Sequence, residues 1–287
     1  MTEKRPANAF AGSWRTWLWE IPDRRIVMLL SLLATILFVL AIWLLTVHPL
    51  PADVSGVLSD ADRSRKRMAE ILLDWWSHYF HAPFTIQTFE HFFFFIGLGE
   101  LYVRWRVGAR ELGFLEQGFL PEDDQTILQA SDLGSIRRKV HREFDREHGF
   151  LPALIDVTIL QFQSGRSIDQ AVSVMTSSLE LIEHRVDLRY GIVRYIAWLI
   201  PTLGFIGTVI GLGGALAQAG IAGQEVDIHQ VAQHLSVGFD CTMVALVQSA
   251  ILVFILQIVQ EKEEMAVNLS GSYTLRNLVN RLYEGGK

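Results

Sequence analysis

The chain has 287 residues, half of them hydrophobic and 20% charged, with a formal net charge of -6. Its mean hydropathy is +0.27, and the apolar excess lies in continuous runs, which is typical of a membrane protein. The acidity argues against nucleic acid as a partner, because phosphate binding requires clustered basic residues. Cys241 is the only cysteine, which excludes an intramolecular disulfide and a cysteine-based metal site.

Two apolar runs lie in the first third of the chain. Ile26 to Val47 contains no charged residue and exceeds the roughly 20 residues that cross a bilayer. A cleaved signal peptide is the alternative, but the polar leader is long and residues 48–51 offer no small-residue cleavage site. The second run, within Pro83 to Val103, is also predicted to span. Three polar residues dilute its hydropathy: Glu90, His91 and Glu100.

Two further runs, about Ile192 to Ala217 and Val231 to Val259, are rich in small residues and predict a transmembrane hairpin. The loop Gln218 to Gln230 contains no Lys or Arg, so the positive-inside rule places both chain termini in the cytoplasm. The basic residues at the inner flanks are Lys4, Arg5, Arg15, Arg24, Arg25, Arg104, Arg106, Arg110, Arg185, Arg189 and Arg194. The outer loop also carries basic residues, but acids accompany them: Arg63, Arg65, Lys66 and Arg67 with Asp60, Asp62, Glu70 and Asp74.

The predicted fold is an all-α membrane protein with four transmembrane helices and a helical cytoplasmic domain between the second and third spans. In chain order, the predicted segments are an N-terminal cytoplasmic segment (1–25), the first span (26–47), a periplasmic loop with an amphipathic helix (48–83), the second span (84–103), the cytoplasmic domain (104–190), the third span (191–217), a short periplasmic loop (218–230), the fourth span (231–260) and a cytoplasmic C-terminal segment (261–287).

An amphipathic helix is predicted in the first periplasmic loop, because apolar residues recur there at helical spacing. The helix either lies on the outer membrane surface or extends the second span, or it packs against neighbouring spans. Its apolar residues are Leu58, Ala61, Met68, Leu72, Trp75 and Tyr79.

The cytoplasmic domain has the composition of a soluble helical module. Residues 121–124 predict a helix start with acids in its first turn, and Ser167 predicts a helix cap. Leu151 to Leu160 is apolar but too short to span, so we expect it to be buried in a helical bundle.

No enzyme motif is present, and the sequence predicts a non-enzymatic protein without a cofactor. The chain contains no HExxH pair, no GxxxxGK[ST] loop and no GxSxG elbow. A membrane enzyme that uses Glu90, His91 and Glu100 as acid, base or metal ligands is the rival interpretation.

Small residues form one face of each hairpin helix. Pro201, Gly204, Thr208, Gly211 and Ala215 share a face by helical spacing, and Gly207 adds a small-xxx-small pair with Gly211. In the second hairpin helix the small face comprises Gly238, Thr242, Ala245 and Ser249. Two such faces can approach closely; the alternative is ordinary packing in which each hydroxyl binds the carbonyl four residues back.

Asp240 is a functional candidate, because a carboxylate inside a span is costly and normally faces protein or water. If its surroundings are dry, the side chain is expected to be neutral and able to exchange protons. Glu90 and Glu100 are weaker candidates, since both can lie near an interface.

The hairpin resembles the MotA/TolQ/ExbB proton channel family. The family's Pro-x-x-Gly-x-x-Gly-Thr-Val-x-Gly pattern is matched by Pro201, Gly204, Gly207, Thr208, Val209 and Gly211, and its second helix by Phe239, Thr242, Ala245, Leu246 and Ser249. The glutamate that TolQ-like and ExbB-like members place five residues before the threonine is Val237 here, with Asp240 one turn later. The layout is MotA-like, whereas Phe239-Asp240-Cys241-Thr242 is similar to the branch of the Zorya defence channels, so the branch stays open.

The resemblance implies a bacterial inner-membrane protein that conducts protons and couples the proton-motive force to movement of a partner. It implies a homo-oligomer, most simply a pentamer, around the span of an ExbD/TolR/MotB-like protein with a membrane aspartate. Thr208 and Thr242 would line the lumen opposite that aspartate. A sodium-driven version, or a non-conducting membrane scaffold, is the alternative; the output (flagellar torque, outer-membrane energisation, gliding or phage defence) stays open.

Overall fold

A computed structural model of the chain describes residues 22–51, 58–76, 80–123, 126–141, 149–219 and 227–283. The all-α prediction is confirmed for these residues, which form helices and one isolated bridge. The helices are α1 (Arg24–Thr46), α2 (Asp60–Leu73), α3 (Ile86–Leu115), α4 (Ala130–His141), α5 (Phe150–Gly165), α6 (Ile168–Ala219) and α7 (Ile228–Asn277), followed by a 3-10 turn (Val279–Arg281). Predictions about Lys4, Arg5, Arg15 and Tyr79 fall outside the described residues, as does most of the loop 218–230.

Three helices in the described part of the chain are long and apolar enough to cross a membrane. They are α1, α6, and α7 taken with the 3-10 turn that follows it. Most of the predicted second span (84–103) lies in α3. This helix is not one of the three, because Glu90 and Glu100 interrupt its apolar sequence. The length and composition of these three helices therefore support a membrane protein, and α3 does not meet the same criteria.

Helix α1 is polar on its protein side and apolar on its outer side. Ser31, Thr35 and Thr46 are buried, and their hydroxyls donate to carbonyls four residues back at 2.9, 3.0 and 2.7 Å. Leucines such as Leu29 and Leu45 are exposed instead. Small hydroxyl residues at helix contacts with bulky apolar residues outside are typical of membrane helices.

The chain divides into two compact units. The first, here the span unit, contains Asp23–Leu101 and Ile192–Leu256; the second, here the insert unit, contains Tyr102–Gly191 and the chain from Gln257 onward. The helices α6 and α7 each contribute one part to each unit.

Helix α2 packs within the span unit, which agrees with the packing interpretation of the amphipathic pattern. It ends at Leu73 and does not continue into α3. The carbonyl oxygen of Leu73 accepts a hydrogen bond from the Thr85 hydroxyl at 2.7 Å. The predicted apolar face is wrong by one position: Ala69 and Leu73 are buried, whereas Met68 is 48% exposed.

The insert unit has a continuous apolar core. As the sequence predicts, α5 buries its apolar residues, including Leu151, Ile155 and Ile159, and the Ser167 hydroxyl accepts a hydrogen bond from the Gln170 amide at 3.4 Å. The helix start predicted at residues 121–124 is wrong, because the next helix begins only at Ala130. The C-terminal segment joins the core through Leu278 and Leu282, and its backbone bonds to Leu128 on both sides: Leu128 N donates to Arg281 O, and Tyr283 N to Leu128 O.

Candidate functional site

Glycines bring α6 and α7 of the span unit into backbone contact. A Cβ atom on Gly211 would lie 2.6 Å from the carbonyl oxygen of His234 and 2.9 Å from the amide nitrogen of Gly238. A Cβ atom on Gly204 would lie 2.6 Å from the Ala245 Cβ, and one on Gly207 would lie 2.7 Å from the Cys241 Cβ. These separations are too short for any larger residue, so the glycines set the spacing of the two helices.

The hydroxyl groups of Thr208 and Thr242 meet in this contact. They hydrogen-bond each other, and each also reaches a carbonyl of the opposite helix: Thr208 to Gly238 O at 3.0 Å and Thr242 to Gly204 O at 2.9 Å. The bonds to their own helices are longer, at 3.4 Å for Thr208 and 3.3 Å for Thr242. Bonding across the helices is therefore the dominant pattern.

The threonine pair can hold its two hydroxyl protons in two equivalent ways. In one, Thr208 donates to Thr242, which donates to Gly204 O; in the other, Thr242 donates to Thr208, which donates to Gly238 O. A hydroxyl both donates and accepts, so rotation of the two groups interconverts the arrangements without creating a charge. Such a pair can pass a proton or orient water, but it cannot store a proton.

Asp240 lies on another face of α7 and forms a two-bond ion pair with Arg67 of α2. The guanidinium donates to the two carboxylate oxygens at 2.7 and 2.8 Å. The Ser236 hydroxyl completes the group, since it donates to Asp240 at 3.3 Å and accepts from Arg67 at 2.8 Å. The carboxylate is thus held by two charge-assisted hydrogen bonds from the guanidinium.

The remaining residues of the small faces lie at or beside the same contact. The Ser249 hydroxyl donates to the Ala197 carbonyl of α6 at 2.9 Å. Ala245 is buried against Gly204, and Pro201 is half-buried within α6 without ending the helix.

The two weaker acidic candidates differ in their partners. Glu100 is buried and accepts a hydrogen bond from Arg24 at 2.9 Å, as an ion pair. Glu90 is wholly buried, and neither of its carboxyl oxygens has a hydrogen-bond partner among the described residues. Next to it, the His91 ring binds the Leu72 carbonyl at 2.8 Å and the Gln248 side-chain amide at 2.6 Å.

Sequence reasoning did not find Arg67, Gln87 or Gln248 as members of this region. Arg67 is 173 residues from Asp240, and in the sequence it is one of several charges in a mixed loop. The two glutamines lie in apolar helices, where an uncharged polar residue lowers hydropathy only slightly. An amide side chain within a run of bulky apolar residues is the feature of the sequence that could have identified both glutamines.

The insert unit contains a buried carboxyl of its own, Glu263 of α7. The Tyr190 hydroxyl donates to it at 2.7 Å. Burial raises the pKa of Glu263 above its ordinary value of 4.5. The hydrogen bond from Tyr190 and the nearby charges of Arg104 and Arg189 lower this pKa, but their effect is smaller than that of burial. Burial and the neighbouring Glu263 charge likewise raise the pKa of Tyr190.

We expect Glu263→Gln to stabilise the protein increasingly as the pH rises. Because the folded-state pKa is raised, the stability that Glu263 contributes is fully present below pH 4.5 and is lost as the pH rises through the folded value. A glutamine accepts the same Tyr190 bond and does not titrate. The melting temperature in detergent should exceed that of the wild type by a few degrees at neutral pH, about 2–4 °C per kcal/mol, and should match it in acid.

The matched control is Glu264→Gln, which changes the exposed neighbour and should leave the melting temperature unchanged. A variant at Glu263 that melts lower than the wild type at every pH would contradict the prediction, since it would mean that the ionised form is the stabilising one.

Comparison with known proteins finds one family model that matches part of the chain. Residues 138–269 match the model of the MotA/TolQ/ExbB proton channel family, and this range contains both threonines and every glycine of the α6–α7 contact. No curated protein and no solved structure matches the chain. The resemblance predicted from the hairpin motif is thus confirmed: residues 138–269 are similar to the MotA/TolQ/ExbB proton channel family.

Proposed function

We propose that this protein is a proton-conducting subunit of an energy-transducing complex in the bacterial inner membrane. The observation that carries the proposal is the crossed hydrogen bonding of Thr208 and Thr242 between α6 and α7. It supplies a polar, uncharged passage through an otherwise apolar contact. A lysine at either position would repel a cation, whereas hydroxyl groups can relay a proton or coordinate its water.

The proposed topology has four spans, with both termini in the cytoplasm. Helix α3 has 30 residues, which gives about 45 Å at 1.5 Å per residue and exceeds the bilayer core. Its acids Glu90 and Glu100 are buried inside the protein, so the lipid would contact aromatic and apolar side chains such as Phe89. A helix whose charges face inward can span despite its low hydropathy.

The proposed assembly is a pentamer around the span of an ExbD/TolR/MotB-like protein. Bulky apolar residues on the outer faces of α6 and α7 are exposed in the single chain and suit contact with lipid or a second copy. They include Phe205, Val209, Leu216, Phe239 and Phe254. A membrane aspartate of the partner would store the proton that the threonine pair relays.

Asp240 is the acidic member of the proposed pathway. It lies two residues from Thr242 and its charge is compensated by Arg67. An incoming cation would compete with the guanidinium for this carboxylate. Entry of each proton down the membrane potential supplies roughly 2.3 kcal/mol per 100 mV, which would drive the partner.

We expect Thr208→Val and Thr242→Val each to reduce proton flux by about tenfold or more, since the isosteric change removes the only hydroxyl at that position of the relay. Proton uptake should be measured in proteoliposomes that contain the complex purified with its co-purifying partner, whose intact mass gives the stoichiometry. Thr202→Val is the matched control: its hydroxyl lies on the same helix and donates to the Trp198 carbonyl of its own helix at 2.9 Å.

Unchanged flux in the combined variant Thr208→Val, Thr242→Val and Asp240→Asn would refute the proposed pathway. A wild-type complex that does not dissipate a pH gradient would favour the scaffold. Uptake that requires Na⁺ would assign the sodium-driven version.

A further inference from the structure

The span unit contains a buried polar site that the threonine relay does not use. Glu90 and Gln87 lie one turn apart on α3, and both side chains are wholly buried. Neither the carboxyl oxygens of Glu90 nor the amide atoms of Gln87 have a hydrogen-bond partner among the described residues. On α7, the Gln248 amide nitrogen binds His91, while its oxygen is also without a described partner. Glu90 and Gln87 are fully buried within a single chain, so their burial does not depend on contact with a second copy.

An ionised carboxylate cannot be stable in this environment without a bound cation. Burial of an unpaired charge costs several kcal/mol, whereas a protonated carboxyl costs much less.

The other titratable groups do not neutralise Glu90. The His91 ring donates through Nε2 to the Leu72 carbonyl and accepts through Nδ1 from Gln248, so it is the neutral form. Helix α1 has no titratable residue other than Arg24 and Arg25 at its start, and Arg24 pairs with Glu100.

We propose that Glu90, with the side-chain amide of Gln87 beside it, is an internal binding site for a monovalent cation, and that the cation is the transported proton. One carboxylate oxygen takes up the proton as an O–H bond, and the same bond breaks on release, so no other reactant is needed. The proposal rests on the proposed function, because it adds to the relay a proton-storing carboxyl that belongs to this chain, besides the aspartate of the partner. Thr208 and Thr242 cannot store a proton; Glu90 can, and Cys241, which lies within its electrostatic range, directly precedes Thr242.

The test is infrared spectroscopy of the full-length protein in lipid vesicles, titrated with pH. A protonated carboxyl in an apolar site gives a carbonyl stretching band that an ionised carboxylate does not. We expect a band that is absent in Glu90→Gln, shifted in Glu90→Asp and lost reversibly as the pH rises. Glu100→Gln is the matched control: Glu100 is equally buried on the same helix but paired with Arg24, so its removal should leave the band unchanged.

Two results would overturn the proposal. The first is a spectrum without a band assignable to residue 90, and the second is a band that persists at every pH at which the protein is folded, because such a carboxyl does not exchange its proton. Addition of Na⁺ at constant pH separates the two cations. A band that Na⁺ does not change supports the proton as the cation bound at Glu90. Loss of the band on addition of Na⁺ would overturn this and identify Na⁺ as the bound cation.

Flux measurements keep this inference distinct from the proposed function. We expect Glu90→Gln to slow proton uptake about tenfold or more, with Thr202→Val again unaffected. If wild-type vesicles conduct no protons while the Glu90 band titrates, the proposed channel fails and with it the transport of the bound proton, whereas the proton-binding site at Glu90 stands. If the vesicles conduct and the band does not titrate, the proton site fails and the channel stands.

Discussion

Replacement of Gly211 by alanine should destabilise the protein by about 1–3 kcal/mol, the usual effect of overpacking a close contact. The added Cβ would lie 2.6 Å from His234 O and 3.0 Å from the Gly238 Cα. Both are backbone atoms of α7, so no side-chain rotation can relieve the clash and the helices must separate. Separation would also lengthen the bonds between Thr208 and Thr242, so proton flux should fall together with the melting temperature.

Gly213→Ala is the control on the same helix. No described atom lies within 4 Å of the position that its Cβ would occupy. An exposed helical glycine replaced by alanine gains about 0.5–1 kcal/mol, so this variant should melt at the wild-type temperature or slightly above it. If Gly211→Ala and Gly213→Ala lowered the melting temperature equally, the close contact of α6 and α7 would not depend on the helix face that contains Gly211.

The contact of α6 and α7 was predictable from the sequence because its determinants are local. Gly204, Gly207 and Gly211 repeat at the spacing of one helix face, and Gly238 and Thr242 do so in the second helix. Periodicity places side chains on a face before any tertiary structure is known. It does not state which hydroxyl binds which carbonyl, and the crossed bonding of the threonines emerged only from the structure.

The features that sequence reasoning missed depend on distant partners. Hydropathy ranks α3 below α1, α6 and α7 because it counts Glu90 and Glu100 wherever they point, and only the structure shows that both side chains are buried inside the protein. Likewise, the segment after residue 260 has the sequence of a polar tail, yet Leu278 and Leu282 complete the core of the insert unit. Neither arrangement has a signal in local spacing.

The two residues of the Arg67–Asp240 ion pair should contribute non-additively to the stability of the protein. Arg67→Met leaves a carboxylate whose side chain is only 7% exposed without its two charged hydrogen bonds, and loss of one partner of a buried pair costs about 3–5 kcal/mol. Because the Arg67 side chain is 46% exposed, we expect the lower part of that range. Asp240→Leu also removes the charge that holds α2 to α7. Because Arg67 can then reach solvent, we expect Asp240→Leu to lower the free energy of unfolding by less than Arg67→Met does.

The double variant Arg67→Met, Asp240→Leu should be more stable than Arg67→Met alone, since replacement of both charges by apolar side chains removes the uncompensated carboxylate. The measurement is a double-mutant cycle of unfolding free energies in detergent. The coupling energy is the stability lost in the double variant minus the sum of the stabilities lost in the two single variants. Arg65→Met is the matched control, because Arg65 lies on the same helix with an almost identical side-chain exposure of 45% and pairs with Asp62 at 3.1 Å. That surface pair is worth about 0–1 kcal/mol. Additive losses at residues 67 and 240 would mean that the pair does not hold α2 to the hairpin, and Asp240 would then be available to a passing cation without competition from Arg67.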